Sequence, residues 1–379
     1  MNVQVFTGRN PDDGTPIKLT VADGIVQSIE PSQHKDDSWL APGLVDLQVN
    51  GYGGEDINAD ILEPEAVVRL TRKIVASGVT TFLPTIITAS EEKIIAALRA
   101  IAAARRNNSL VSHVVHSVHV EGPHISPEDG FRGAHPREHV RPPTVAEFYR
   151  WQTACGGIIG MVTLSPHYAN SSEYIVGLVS RGVHVAPGHT TADSKQISSA
   201  VDAGARLSTH LGNGIASELP RHPNALWTQM ADDRLTATLI ADGHHLPADT
   251  LKVIVRAKGI HRSILVSDSV ALAGMPPGLY ETSVGGRVEL HKDGKLNLEG
   301  TNFLAGAVLP LKDAIARAMN MCGFSLADAL RMATENPGRF AGGRGSLRVG
   351  APANLVRFTM EEGRPLQMHT VIVQGKEWT

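Results

Sequence analysis

Four residues of this chain have side chains suited to one kind of chemistry, and each closes an apolar run. Glu121 ends SVHVEG, His189 ends VHVAPGH, His210 sits in RLSTHLGN, and Asp268 follows SILVSD. One carboxylate and two imidazoles form a catalytic metal set, three protein ligands with a position left open for water. Their donor softness suits zinc or another first-row divalent ion. A site of this kind activates water and polarises a carbonyl oxygen. Asp268 would then carry a proton from the water to a leaving group. The chemistry indicated is hydrolysis of an amide or related bond.

Taken singly, each residue has a plainer reading. A histidine at a strand end is commonly structural, and an aspartate after an apolar run is commonly a cap or turn residue. The four lie far apart in sequence, so only the fold can bring them together. Eight apolar, β-branched runs recur after residue 40, at 44–50, 80–87, 114–122, 160–167, 183–189, 206–213, 236–245 and 263–269. Helical segments lie between them. PEAVVRLTRKIVASG has Pro64 near its first turn and Gly78 at its end, and SEEKIIAALRAIAAARR is amphipathic. Eight strands alternating with helices predict an α/β fold, a (β/α)8 TIM barrel over residues 41–343. In such a barrel the strand ends open onto one face, where all four residues would meet. Residues 1–40 and 344–379 read as short strands, with a turn at Asp23-Gly24, and predict a small β-domain or β-sandwich built from both chain ends.

The remaining histidines have weaker claims. His116 and His119 lie within the third run and read as structural. His113, His261 and His291 read as exposed or loop residues, and His124 as a loop or pocket-edge residue. His222 and His244 have no assigned role.

Composition bounds the function. The chain has 379 residues, 42% hydrophobic, with a net charge of −3 and no long basic run. Nucleic-acid and anionic-membrane binding are therefore not expected. The N-terminus lacks the basic start and apolar core of a signal peptide, and no segment approaches the ~18 apolar residues of a membrane span. Cys155 and Cys322 have no metal-type spacing and read as buried thiols in a reducing compartment. The expectation is a cytoplasmic protein.

Several motifs, taken in order, resemble those of one family. They are APGLVDLQVNGYGG (41–54), GVTTFLPT (78–85), HVEGPHISPEDGFRGAH (119–135), APGHTTAD (186–193), THLGNG (209–214), LIADGHH (239–245), VSDS (266–269) and LAGA (304–307). The chain resembles the amidohydrolase superfamily, and within it the N-acetylglucosamine-6-phosphate deacetylases. Many amidohydrolases carry His-X-His after strand one and hold two metals. Here that place reads Gln48-Val49-Asn50, whose neutral amides are poor ligands. The second-metal position is thus vacated, and one divalent ion is expected on Glu121, His189 and His210: zinc, with iron, cobalt or manganese as alternatives. The resemblance implies that Asp268 is the catalytic acid/base. It implies substrate contacts from His135, Asn213, Gly214, Arg221 and His245, and from the backbone at Leu304, Ala305 and Gly306. It also implies a small amino-sugar substrate and a homodimer. The implied reaction converts N-acetylglucosamine 6-phosphate to glucosamine 6-phosphate and acetate. The sequence departs from the family at Asn213-Gly214-Ile215, at Arg221-His222-Pro223-Asn224, at Ser267-Asp268-Ser269 and at an inserted Asn302-Phe303. These departures leave open a different N-acylated sugar, or a related amide, without the phosphate.

Overall fold

Each of the eight apolar runs contains a strand in the computed structural model, which describes residues 3–33, 37–282, 286–301 and 303–378. They are β1 (Leu44–Val49), β2 (Val79–Ile87), β3 (Val118–Glu121), β4 (Ile159–Leu164), β5 (His184–Pro187), β6 (Leu207–Ser208), β7 (Thr236–Ile240) and β8 (Ser263–Val266). β1 to β5 form one parallel sheet in chain order, and β6 to β8 a second. Backbone hydrogen bonds join the two sheets at both edges. Arg206 N donates to Val185 O at 3.1 Å, and Thr209 N to Pro187 O at 2.9 Å. On the other side Asn50 N and Gly51 N both donate to Ser269 O, at 2.8 and 2.9 Å. An eight-stranded parallel barrel results.

The strands are almost wholly buried, as expected where side chains fill the barrel and helices cover its outside. Val45, Leu47, Leu83, Met161, Ile264 and Val266 fill the interior. The helices follow the expected capping. Pro64–Ala76 has proline at its first position, and Gly78 beyond its end takes φ +96°. Glu91–Asn107 is capped by Ser90, whose Oγ accepts from Lys93 N at 3.2 Å. The third run differs at its start. Asn108 accepts from Val111 N at 3.1 Å and nucleates a short helix, Ser109–Val114, ahead of β3. This helix carries His113, expected in an exposed loop. It is instead half-buried, with Nε2 3.1 Å from Asn354 Oδ1. No described helix is long and apolar enough to cross a membrane.

Both chain ends meet in a seven-stranded sheet. Its order is Lys376–Glu377, Gln367–Val373, Leu355–Thr359, Trp39–Pro42, Val3–Arg9, Pro16–Ala22, Ile25–Pro31. Leu355–Thr359 pairs antiparallel with Trp39–Pro42, and Leu19, Val26, Leu40, Leu355 and Ile372 form a separate core. Asp23 and Gly24 turn the chain with φ +49° and +80°.

One element was not foreseen. After β8 come β9 (Gly278–Thr282), β10 (Gly286–Leu290) and β11 (Leu296–Leu298), a three-stranded antiparallel sheet. These strands are short and partly exposed, so their alternation is weak. Of the expected insertion, Asn302 lies outside the described residues, and Phe303 follows β11 with its ring 74% exposed.

Leu47 is fully buried inside the barrel. Leu47→Ala is expected to cost about 2–5 kcal/mol, read from chemical denaturation. A loss below about 1 kcal/mol would mean that the interior collapses around the gap.

Candidate active site

Glu121 is the last residue of β3, and the other three key residues stand two positions beyond their strands. All three of these take the left-handed conformation, His189 at φ +47°, His210 at +27° and Asp268 at +48°. Non-glycine residues rarely adopt it, and each instance costs of order 1–3 kcal/mol. The chain therefore turns away immediately and leaves the side chains over the barrel mouth. At Glu121 the turn falls on Gly122 (φ +82°), where a Cβ would meet Thr88 Oγ1 at 2.2 Å. Only glycine fits there.

Three ligand atoms converge at the mouth. Glu121 Oε1 lies 3.0 Å from His210 Nε2 and 3.3 Å from His189 Nε2, and the two nitrogens are 3.0 Å apart. Ligands held at ~2.0–2.1 Å around a tetrahedral ion stand about 3.3 Å from each other. The set fits a divalent ion, and it is the only such group of three among the described residues. His189 Nδ1 faces Phe131 O at 2.8 Å, so that nitrogen carries the proton and Nε2 keeps its lone pair for an ion. His210 Nδ1 is buried without a partner. Burial opposes the Glu121 charge, but hydrogen bonds and charge from His189 and His210 outweigh it. They hold the carboxyl well below its usual range.

The amides at the second-metal position serve the carboxylates as donors. Gln48 Nε2 donates to Glu121 Oε2 at 3.1 Å, and Asn50 Nδ2 to Asp268 Oδ1 at 2.7 Å. Burial, and after it the Glu121 charge, pushes Asp268 up to about 8. Burial pushes Asp46 up to about 6, against hydrogen bonds from Ser267 and Gln48.

These groups open into a cavity of about 410 Å³. Of the expected substrate residues, His135, Asn213, Gly214, His245, Leu304, Ala305 and Gly306 line it. Arg221 does not; it is exposed in the loop before the helix Ala225–Ala231. His135 anchors through Nδ1 to Thr88 Oγ1 at 2.8 Å, with its ring 4.5 Å from that of His189. Burial, then His189, pushes His135 down to about 3, so it is neutral. His245 Nδ1 lies 2.7 Å from Asp242 Oδ2, and Asp242 Oδ1 accepts from His244 N and His245 N. Sequence reasoning missed Thr88 and Asp242. The carboxylate three residues before His245 in IADGHH was the available signal for Asp242.

His124 is corrected. It is neither loop surface nor pocket edge but fully buried, stacked on Trp151 at 5.6 Å with Nδ1 bonded to Arg141 O. The turn at Gly122-Pro123 drives it under the loop. His119 is structural as expected, held between Thr163 Oγ1 and Thr85 Oγ1 beneath Glu121.

Two outcomes follow. Glu121→Gln is expected to weaken metal binding by more than ~100-fold, since outer groups alone are worth 10–100-fold; metal analysis after dialysis reads this. In metal-free protein, Asp46 and Asp268 have raised folded pKa values. Their contribution to stability is present at low pH and is lost as pH rises through about 6 and then about 8. Asp268→Asn should flatten the upper part of that decline in denaturation midpoints measured from pH 5 to 9. Parallel curves for the two proteins would refute the assignment.

Comparison with known proteins agrees with this geometry. Residues 39–378 match the Amidohydrolase family. The chain is 33% identical to the N-acetylglucosamine-6-phosphate deacetylase of Bacillus subtilis, over 84% of this chain and 80% of that one. It is 32% identical to the N-acetylgalactosamine-6-phosphate deacetylase of Escherichia coli O157:H7, over 95% and 94%. Among solved structures, a mutant N-acetyl-D-glucosamine-6-phosphate deacetylase of Mycobacterium smegmatis, in complex with N-acetyl-D-glucosamine 6-phosphate, superposes with a TM-score of 0.87 at 27% identity. That match covers 100% of both chains. The Thermotoga maritima N-acetylglucosamine-6-phosphate deacetylase gives a TM-score of 0.87 at 26% identity, covering 99% of both. The barrel, its convergent strand ends and these matches together show that the chain belongs to the amidohydrolase family.

Proposed function

We propose that this protein hydrolyses the N-acetyl group of N-acetylglucosamine 6-phosphate, giving glucosamine 6-phosphate and acetate. The observation that carries the reading is the joint opening of Glu121, His189, His210 and Asp268 into one cavity. The relatives that share the fold act on N-acetylhexosamine 6-phosphates. Glu121, His189 and His210 would hold one divalent ion, zinc in our reading, with iron, cobalt or manganese as alternatives. That ion, when bound, supplies Lewis acidity toward a water and the acetamide oxygen.

The chain's own residues handle the protons and the sugar. Asn50 occupies Oδ1 of Asp268, which leaves Oδ2 to take a proton from the attacking water. The same oxygen returns the proton to the sugar nitrogen as the C–N bond breaks. Neutral His135, anchored through Nδ1, has Nε2 free to hydrogen-bond the acetamide oxygen. Asn213 and the backbone at Leu304 to Gly306 would orient the ring. His245, fixed by Asp242, would face the phosphate. Arg221 lies outside its own cavity, and a homodimer would let it serve a neighbouring copy as phosphate partner. The free, buried cysteines suit a cytoplasmic setting.

A second reading keeps the chemistry and changes the sugar. The galactosamine-acting relative matches more of the chain than the Bacillus subtilis one, 95% against 84%. Assays of N-acetylglucosamine 6-phosphate, its galactosamine epimer and unphosphorylated N-acetylglucosamine decide between them. The first substrate should give the highest kcat/KM, and a higher value for either of the others would replace the reading. Asp268→Asn should lower kcat by about 10²–10⁴-fold with metal still bound. Arg221→Ala should lower kcat/KM roughly tenfold or more for phosphorylated sugars and spare the neutral one, as loss of a charged hydrogen bond does.

A further inference from the structure

A second cavity, of about 470 Å³, lies at the opposite end of the barrel, against the terminal sheet. It is lined by His113, Arg344, Arg348, Asn354 and a glycine-rich stretch, and among the described residues no carboxylate lines it. The position follows from the neighbours. Gly345 approaches Val45 at the start of β1, while Gly350 N and Ala353 N donate to Val26 O and Gly24 O of the terminal sheet. The chain thus passes between barrel floor and sheet, and the cavity occupies the join.

Cations gather near this place, and among the described residues no carboxylate pairs with them. Arg344 is half-buried, and its Nη1 donates to His113 O at 2.7 Å. His116 packs against the cavity wall, since a Cβ on Gly342 would meet His116 Cε1 at 2.8 Å. Arg105, at the end of the helix Glu91–Asn107, has a buried Nε with no partner. Neither arginine has an ion pair among the described residues. The charges also act on one another. Burial, then Arg344, Arg105 and His184, pushes His116 down to about 4, and burial, then Arg105, lowers Arg344. A half-buried guanidinium without an anion is costly, and a chain of net charge −3 does not lack carboxylates elsewhere.

We propose that the cavity between barrel floor and terminal sheet is a second ligand site, which binds a phosphate dianion on Arg344 and Arg348 with His113 and Asn354 beside it. Guanidinium forks match phosphate oxygens. The volume admits a phosphorylated metabolite as readily as free phosphate. The site is separate from the catalytic mouth and does not depend on the deacetylase reading.

Calorimetric titration of the metal-loaded full chain with inorganic phosphate, at fixed ionic strength, tests it. One phosphate-binding event should survive His245→Ala. It should weaken at least tenfold in both Arg344→Gln and Arg348→Gln, while deacetylase turnover in these two variants stays near wild type. Unchanged phosphate binding in the two arginine variants, or loss of all binding in His245→Ala, overturns the proposal. Glucose 6-phosphate separates the sources. Tighter binding than phosphate assigns a phosphorylated metabolite, and equal or weaker binding assigns free phosphate. Absence of deacetylase activity in the wild type would sink the proposed function and leave this result untouched.

Discussion

The buried negative charge of Glu121 is the constraint around which the active end of the barrel is arranged. The carboxylate is 2% exposed, and its first neighbours are two imidazole nitrogens and one amide. Burial, then the Glu121 charge and lastly that of Asp46, pushes Asp268 up. Such a set is internally repulsive when every acid is ionised. A divalent ion held by Glu121 and the imidazoles would relieve this repulsion and would leave Asp268 able to act as a base near neutral pH. The left-handed turns at His189, His210 and Asp268 are local costs that the rest of the barrel sustains so that these groups stay converged.

Between this charged mouth and the apolar interior lies a layer of hydroxyls. Thr163 Oγ1 reaches His119 at 2.8 Å and Thr209 Oγ1 at 2.6 Å. Thr238 Oγ1 accepts from His210 N at 2.7 Å, and Thr85 Oγ1 from Val49 N at 3.1 Å. Each comes from or beside a different barrel strand. Together they tie neighbouring strands sideways, beside the ladder hydrogen bonds. A buried polar network that is well satisfied rigidifies what it supports. Ligand positions with sub-ångström tolerance need that rigidity more than they need added core volume.

The barrel was legible in the sequence because buried parallel strands are uninterrupted apolar runs, and the convergence of four reactive side chains was legible because each stands at the end of one. Glu121, His189, His210 and Asp268 combine reactive chemistry with a position that topology makes common. Where either condition failed, so did the reading. β9 to β11 are short and half-wet, so their sequence carries little period. Thr88 and Asp242 act on other side chains and never stand at an obvious strand terminus. His124 stands next to a ligand in sequence, yet Gly122-Pro123 turns it into a different environment. His113 was misread because Asn108 caps a helix where a loop was expected. Arg221 had the right chemistry for phosphate, but its exposed loop places it outside its own cavity.

The two ends of the barrel also carry opposite electrostatic problems. At the mouth, three acids and two imidazoles surround one point and favour a cation. At the floor, Arg344, Arg348 and His113 line one cavity and would favour an anion. Net charge, at −3, reports neither. The apolar layer of Val45, Leu47, Met161 and Val266 separates the two sets and keeps them from neutralising one another directly.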